Sequence, residues 1–180
     1  MNTKPNKGWI KASGVAVSAL ALAVGALAWN SPKVTVRTAI DIDVPVERVF
    51  AALADFGAYP EWNPYHVSVS GEPQIGAALT VDVRRPDGKQ VTVKPHLLRF
   101  EPQRELTWGG GIRGVFYGEH VFLLQSLPDG RTRLIHNEDF SGFAVRFADL
   151  PAGVLTEGYR QMNEALKLRL ESREQFASAR

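Results

Sequence analysis

Hydrophobic and polar residues alternate with a period of two over much of the chain, a pattern that predicts β-strands. The best-defined case is the segment 117–142, where Pro, Asp and Gly at 128–130 have the residue types of a tight hairpin turn. A turn at these positions fixes the register of the two flanking strands. The facing pairs on one side of the hairpin are then Leu124 with Leu134, Phe122 with His136, and His120 with Glu138.

The same alternation predicts five more strands, with the bounds Val34–Val44, Val67–Ser70, Leu79–Arg84, Val91–Phe100 and Leu106–Trp108. A second Pro-Asp-Gly turn at 86–88 places Val83 opposite Val91 on an apolar face, and the other face is polar. Such a pair of faces is typical of an antiparallel sheet that is covered on one side only. Pro95 cannot donate a hydrogen bond to a neighbouring strand, so we expect a bulge or an edge position there.

Helical spacing of apolar residues occurs in two regions. Pro45 suits the first turn of a helix that runs to Phe56. Two prolines follow within the next eight residues and exclude a continuous helix, so we expect Trp62 on a turn. The second region, about 151–176, predicts one long amphipathic helix. The predicted order is strand, helix pair, six strands and long helix, an α+β arrangement.

The N-terminal residues 12–29 carry no charge and are mostly Ala, Val and Leu, and three lysines precede them. This pattern predicts a hydrophobic helix that is either a retained membrane anchor or a signal peptide. Small residues at Ala26 and Ala28 suit cleavage, whereas the spacing of Trp9 and Trp29 suits the two interfaces of a membrane. The lysines keep the N-terminus in the cytoplasm, so we expect the rest of the chain on the far side, anchored by a single pass or exported after cleavage.

The chain accordingly divides into a basic segment 1–11, the hydrophobic segment 12–29, a linker 30–33, one domain 34–173 and a tail 174–180. All 19 acidic residues lie after position 30, where 18 of the 21 basic residues also lie. A nearly neutral domain without a basic cluster lacks the charge pattern that binds nucleic acid. The chain has no cysteine, which excludes disulfides, thiol catalysis and cysteine metal sites.

Several short stretches carry a resemblance to a known family: Val44–Phe50, Trp62–Pro64, Leu106–Trp108, Gly118–Phe122 and His136–Gly142. Through them the region 34–173 resembles the helix-grip superfamily of START-like, or SRPBCC, domains, and within it the polyketide cyclase-like group. The resemblance implies a curved antiparallel sheet wrapped around the long C-terminal helix, with two short helices after the first strand. It also implies a deep apolar cavity for a hydrophobic small molecule or lipid. A minority of such domains catalyse aromatisation, cyclisation or hydration.

If the long helix covers the apolar face of the hairpin, two imidazoles and a carboxylate point into that cavity. A carboxylate beside an imidazole raises the basicity of the ring, which is one way to make a general base. Three interpretations stay open for His120 and Glu138: a buried structural pair, a contact to a ligand, or an acid and base pair in which Glu138 orients His120. The predicted ligand-binding residues are Trp62, Trp108, Tyr117, His120, Phe122, His136, Glu138 and Met162.

A metal site at this position would need His96 as a further ligand from the neighbouring strand. Nothing in the sequence fixes three ligands within bonding distance, so we expect no metal and no cofactor. Two segments are candidate lids. Gly109–Gly114 matches a dinucleotide motif only formally, because it lies between antiparallel strands, and we expect a flexible loop near the cavity entrance. Gly142–Pro151, which contains Phe143 and Phe147, precedes the long helix.

Overall fold

The computed structural model describes residues 32–178, with side chains described as far as residue 172. The strands are β1 (Lys33–Ile42), β2 (His66–Ser70), β3 (Thr80–Arg84), β4 (Gln90–Val93), β5 (His96–Glu101), β6 (Glu105–Ile112), β7 (Phe116–Ser126) and β8 (Thr132–Ser141). The helices are α1 (Val46–Ala54), α2 (Tyr59–Trp62) and α3 (Ala152–Ser178), with 3₁₀ turns at Phe56–Ala58 and Phe143–Phe147. The predicted N-terminal hydrophobic helix lies outside the described residues. Among residues 32–178, no helix is both long and apolar enough to cross a membrane.

The described strands form two antiparallel sheets, one ordered β1-β8-β7-β6-β5 and the other β2-β3-β4. The sheets meet where the amide of Leu79 donates to the carbonyl of Pro95 at 2.8 Å. The inner face of the larger sheet packs on α3 through the fully buried Tyr159, Met162 and Leu166. This is the predicted α+β helix-grip architecture, in which a sheet curves around one long helix.

The hairpin of β7 and β8 has the predicted register. His120 faces Glu138, Phe122 faces His136, and Leu124 faces Leu134. The turn is closed by a hydrogen bond from the Leu127 amide to the Arg131 carbonyl at 2.8 Å, and Gly130 adopts a φ of 80° there. The register of β3 and β4 is also as predicted, with Val83 opposite Val91.

The predicted strand Val91–Phe100 is divided into two at Pro95. β4 ends at Val93 and β5 begins at His96, and the two strands belong to different sheets. The described chain therefore has seven strands between α2 and α3, where the sequence pattern predicted six. Proline has no amide hydrogen to donate to a strand ladder, so the chain leaves one sheet at this residue and enters the other.

Two local predictions were wrong. Trp62 lies at the end of α2 and not on a turn. Pro60 is compatible with this helix because it lies in the first turn, where an amide hydrogen would have no partner within the helix. Most of the glycine-rich run is not a loop, since Gly109 and Gly111 pair with β7 as part of β6, and only Arg113 and Gly114 lie in the turn before β7. A Cβ on Gly111 would lie 2.2 Å from the carbonyl oxygen of Phe116, so the strand can continue here only without a side chain.

Candidate functional site

A cavity of about 320 Å³ lies between α3 and the inner faces of the two sheets. Most of its wall is apolar or aromatic, and these residues are Tyr65, Val81, Val83, Val91, Val93, Trp108, Phe116, Phe140, Ala148, Leu150 and Leu155. A smaller pocket of about 220 Å³ lies beside Gly109–Gly111 and shares Trp108, Glu138 and Phe140 with the cavity. Ligand sites in proteins have this character, a concave apolar wall with a few polar groups.

A chain of hydrogen bonds crosses the inner end of the cavity from α3 to the sheet. The hydroxyl of Tyr159 donates to Oε2 of Glu138 and lies 3.1 Å from Nδ1 of His120. Nε2 of His120 lies 2.9 Å from Nε2 of His136. The chain ends on α3 again, where Nδ1 of His136 is 2.8 Å from Oδ1 of Asn163. These polar groups are therefore fixed by one another as well as by the backbone.

His120 and Glu138 share a face, as the register predicted, and Tyr159 connects them. The direct separation between Nδ1 of His120 and Oε2 of Glu138 is 3.7 Å, which is longer than a hydrogen bond. The His120 ring is 2% exposed and stacks on Trp108 at a centroid distance of 4.9 Å. Both of its nitrogens are engaged by protein groups, so the ring is held in one orientation.

Burial controls the ionisation of three of these side chains. Desolvation lowers the pKa of His136 well below its ordinary value, and the neighbouring His120 lowers this pKa further. The pKa of His66 is lowered well below the ordinary value for the same two reasons. Desolvation and the carboxylate of Glu138 raise the pKa of Tyr159 well above its ordinary value. Near pH 7 these groups are therefore two neutral imidazoles and a protonated phenol.

His66 enters the cavity because of the turn that follows α2. Oδ1 of the buried Asn63 accepts hydrogen bonds from the amides of Tyr65 at 3.0 Å and His66 at 2.9 Å. This Asx turn directs the His66 ring toward His120, with ring centroids 4.9 Å apart. Nδ1 of His66 is buried and has no hydrogen-bond partner in the described part of the chain.

The cavity mouth is bordered by a charged cluster. Arg85, whose side chain is 4% exposed, forms ion pairs with Asp87 and with Asp149. Arg85 also donates to the backbone carbonyl of Asp149 at 3.0 Å. Lys89 forms an ion pair with the side-chain carboxylate of Asp149 at 2.8 Å. These contacts connect the predicted lid segment 142–151 to the turn between β3 and β4.

The sequence-predicted ligand residues fall into three groups. Trp108, His120 and Glu138 line the cavity, whereas Phe122, His136 and Met162 are fully buried behind its wall. Trp62 packs on Tyr59 at 5.1 Å and borders a separate surface pocket. Tyr117 lies on the outer face of β7 beneath the guanidinium of Arg113, at 4.1 Å. Tyr117 and His120 differ by an odd number of positions along β7, so their side chains point to opposite faces of the strand.

The cavity residues that were not predicted from the sequence include Tyr65, His66, Arg85 and Tyr159. Tyr159 carried a usable signal, because it puts a polar atom on the apolar stripe of the predicted long helix. Arg85 carried none, since a charged residue beside a turn is ordinarily exposed. The His96 side chain is exposed on β5, and the described residues contain no group of three His, Asp or Glu side chains placed to hold a metal.

A family described as polyketide cyclase / dehydrase and lipid transport matches residues 33–171. The chain belongs to this family. A search of curated proteins found no match to the chain.

Solved structures share the fold at low sequence identity. A protein of unknown function from Staphylococcus aureus, SA2116, has a TM-score of 0.63 and 10% identity, over 81% of this chain and 98% of that one. The di-domain ARO/CYC protein StfQ from the steffimycin biosynthetic pathway has a TM-score of 0.59 and 13% identity, over 79% of this chain and 52% of that one. Ara h 8.0201 has a TM-score of 0.58 and 16% identity, over 78% of this chain and 99% of that one. At these identities the similarity is one of fold.

Proposed function

We propose that this protein binds a hydrophobic small molecule or lipid in its internal cavity. The observation that carries the proposal is the apolar space of about 320 Å³ between α3 and the two sheets. A concave site of this size with a largely apolar wall and a few polar groups is typical of small-molecule binding sites. The family supports the same conclusion, because its description includes lipid transport.

The location of the binding domain is part of the proposal. The uncharged segment 12–29 attaches the domain to a membrane, or directs its export, with the N-terminus on the cytoplasmic side. A domain that binds hydrophobic molecules next to a membrane can exchange them with the bilayer over a short distance. The anchored form keeps the cavity near that source of ligand.

A second candidate function is catalysis of the cyclase or dehydratase kind, favoured by the position of Glu138 beside a protonated tyrosine at the cavity wall. The similarity to StfQ, a di-domain ARO/CYC protein, is compatible with this candidate. His120 is poorly placed as the general base, because both of its nitrogens already lie within hydrogen-bond distance of Tyr159 and His136. In an enzyme of this kind the group that meets the substrate would be Glu138.

Native mass spectrometry of the full-length protein, followed by organic extraction, tests the binding proposal. We expect a bound mass that transfers to the organic phase and that is absent after denaturation and washing. A protein that carries no such molecule, and that takes none up from a mixture of lipids and aromatic compounds, would contradict the proposal.

A further inference from the structure

We infer that the natural ligand binds Glu138 through a hydrogen-bond donor, of which a hydroxyl group is the simplest, and not through a carboxylate. This inference rests on the proposed function, because it concerns the polar group of the molecule that fills the cavity. The evidence is the way in which the hydrogen bonds around Glu138 are already distributed.

The two carboxylate oxygens of Glu138 have different surroundings. Oε2 accepts the hydrogen bond from the Tyr159 hydroxyl. Oε1 accepts no hydrogen bond from the described residues, although the side chain lines both the cavity and the smaller pocket. The Glu138 side chain is only 16% exposed. Oε1 is not among the fully buried side-chain atoms that lack a partner, so it is open to the cavity space. A ligand that displaces solvent from Oε1 without supplying a donor leaves this acceptor unpaired, so a ligand with a donor binds more tightly.

An ionised Glu138 presents only acceptors, because a carboxylate has no proton to donate. The Tyr159 hydroxyl donates to Oε2, so Oε1 is the oxygen that is left for the ligand. An ether, a ketone or a carboxylate on the ligand would place an acceptor against this acceptor. A hydroxyl on the ligand supplies the donor.

The two cations that line the cavity, Arg85 and Lys89, are already engaged by carboxylates, and Lys94 lines only the smaller pocket. Arg85 at the mouth is paired with Asp87 and Asp149, and Lys89 shares Asp149. The nearby His66 is neutral near pH 7 and adds no positive charge. The inner end of the cavity is thus suited to a neutral molecule that carries a hydroxyl.

Matched naphthalene derivatives test this preference. An apolar cavity of about 150 Å³ can hold benzene, so a cavity of about 320 Å³ has room for two fused rings. Titration calorimetry on the full-length protein compares 2-naphthol, 2-methoxynaphthalene and 2-naphthoate. We expect 2-naphthol to bind about tenfold more tightly than the methyl ether, as one hydrogen bond to a charged group predicts. We expect the naphthoate to bind most weakly.

Substitution of Glu138 by Gln provides the decisive comparison. Gln can keep its carbonyl oxygen on the Tyr159 hydroxyl and present its amide group to the cavity, which replaces the free acceptor by a donor. We expect E138Q to lose the tenfold preference for 2-naphthol and to bind 2-naphthoate more tightly than the wild type does. The matched control is E119Q, because Glu119 lies on the outer face of β7 in ion-pair contact with Arg99. E119Q should bind the three compounds with the same order of affinity as the wild type.

The outcomes separate the inference from the function on which it rests. If none of the three compounds binds to the wild type, the binding proposal fails and the inference fails with it. If the compounds bind but 2-naphthol and its methyl ether bind equally, the inference alone fails. Tighter binding of 2-naphthoate to the wild type, which Lys94 at the smaller pocket would favour, would overturn it as well.

Discussion

Buried imidazoles determine how this protein responds to acid. Folding lowers the pKa of His66 and of His136, so the unfolded chain binds protons at a pH where the folded chain does not. The free energy of unfolding is therefore unaffected by these groups above their unfolded pKa of about 6.5. It falls as the pH is lowered from that value toward the folded pKa of each ring.

Replacement of His66 by Phe should weaken this acid response. The His66 ring has aromatic neighbours, and its Nδ1 has no partner in the described part of the chain, so a phenyl ring suits the site. We expect H66F to take up about one proton fewer on unfolding between pH 6.5 and 5, measured from urea denaturation at several pH values. The exposed His96 supplies the control, and H96F should keep the wild-type slope. An unchanged slope in H66F would show that His66 does not titrate as its burial implies.

The side-chain pairs on the hairpin were predictable because a turn and a period of two determine them. The positions of Tyr159 and His66 were not, since both depend on how a distant helix or turn packs against the sheet. His120 illustrates the difference. Its register with Glu138 follows from counting along two strands, whereas its contact with Tyr159 depends on a residue 39 positions away.

Helix α3 closely approaches the segment between α2 and β2 at one glycine. A Cβ on Gly158 would lie 2.2 Å from ring atoms of Tyr65, which is a buried residue and part of the cavity wall. Alanine ordinarily stabilises a helix interior by about 1 kcal/mol relative to glycine. At this position the gain is outweighed, because the rigid buried ring has to move.

The matched pair G158A and G153A tests this packing. We expect G158A to lower the free energy of unfolding by about 1 to 3 kcal/mol, the usual cost of an overpacked core. Gly153, on the same helix, has no atom within 4 Å of the position that a Cβ would take. G153A should therefore leave the stability unchanged or raise it slightly in chemical denaturation. If G158A is as stable as the wild type, the close contact between α3 and Tyr65 is not present in solution.

Among the strands and helices, the sequence indicated type and order better than boundaries. Pro95 was recognised as an interruption, but the pattern could not show that the chain changes sheets there, because that depends on the pairing of β5 with β6. The second helix of the predicted pair is present as α2, but Trp62 was assigned to a turn and belongs to this helix. Pro60 excludes a helix only when it lies in the interior, and here it lies in the first turn.

In the part of the chain that the structure describes, two sheets and the long helix α3 surround the cavity. The fold follows from the order of the elements and from the family, and both were evident in the sequence. The volume of the cavity was not, because it depends on the sum of many side-chain positions. The predicted lid segment 142–151 is connected to Arg85 through Asp149.

Filling the cavity with a side chain tests the central claim most directly. Val83 lines the cavity from β3, and V83W would place an indole in the space that we assign to the ligand. L168W makes the same kind of change at a residue of α3 that is 69% exposed. Circular dichroism and thermal unfolding establish that both variants are folded. We expect native mass spectrometry to find a bound hydrophobic molecule on the wild type and on L168W but not on V83W. Equal occupancy of a folded V83W would contradict this claim.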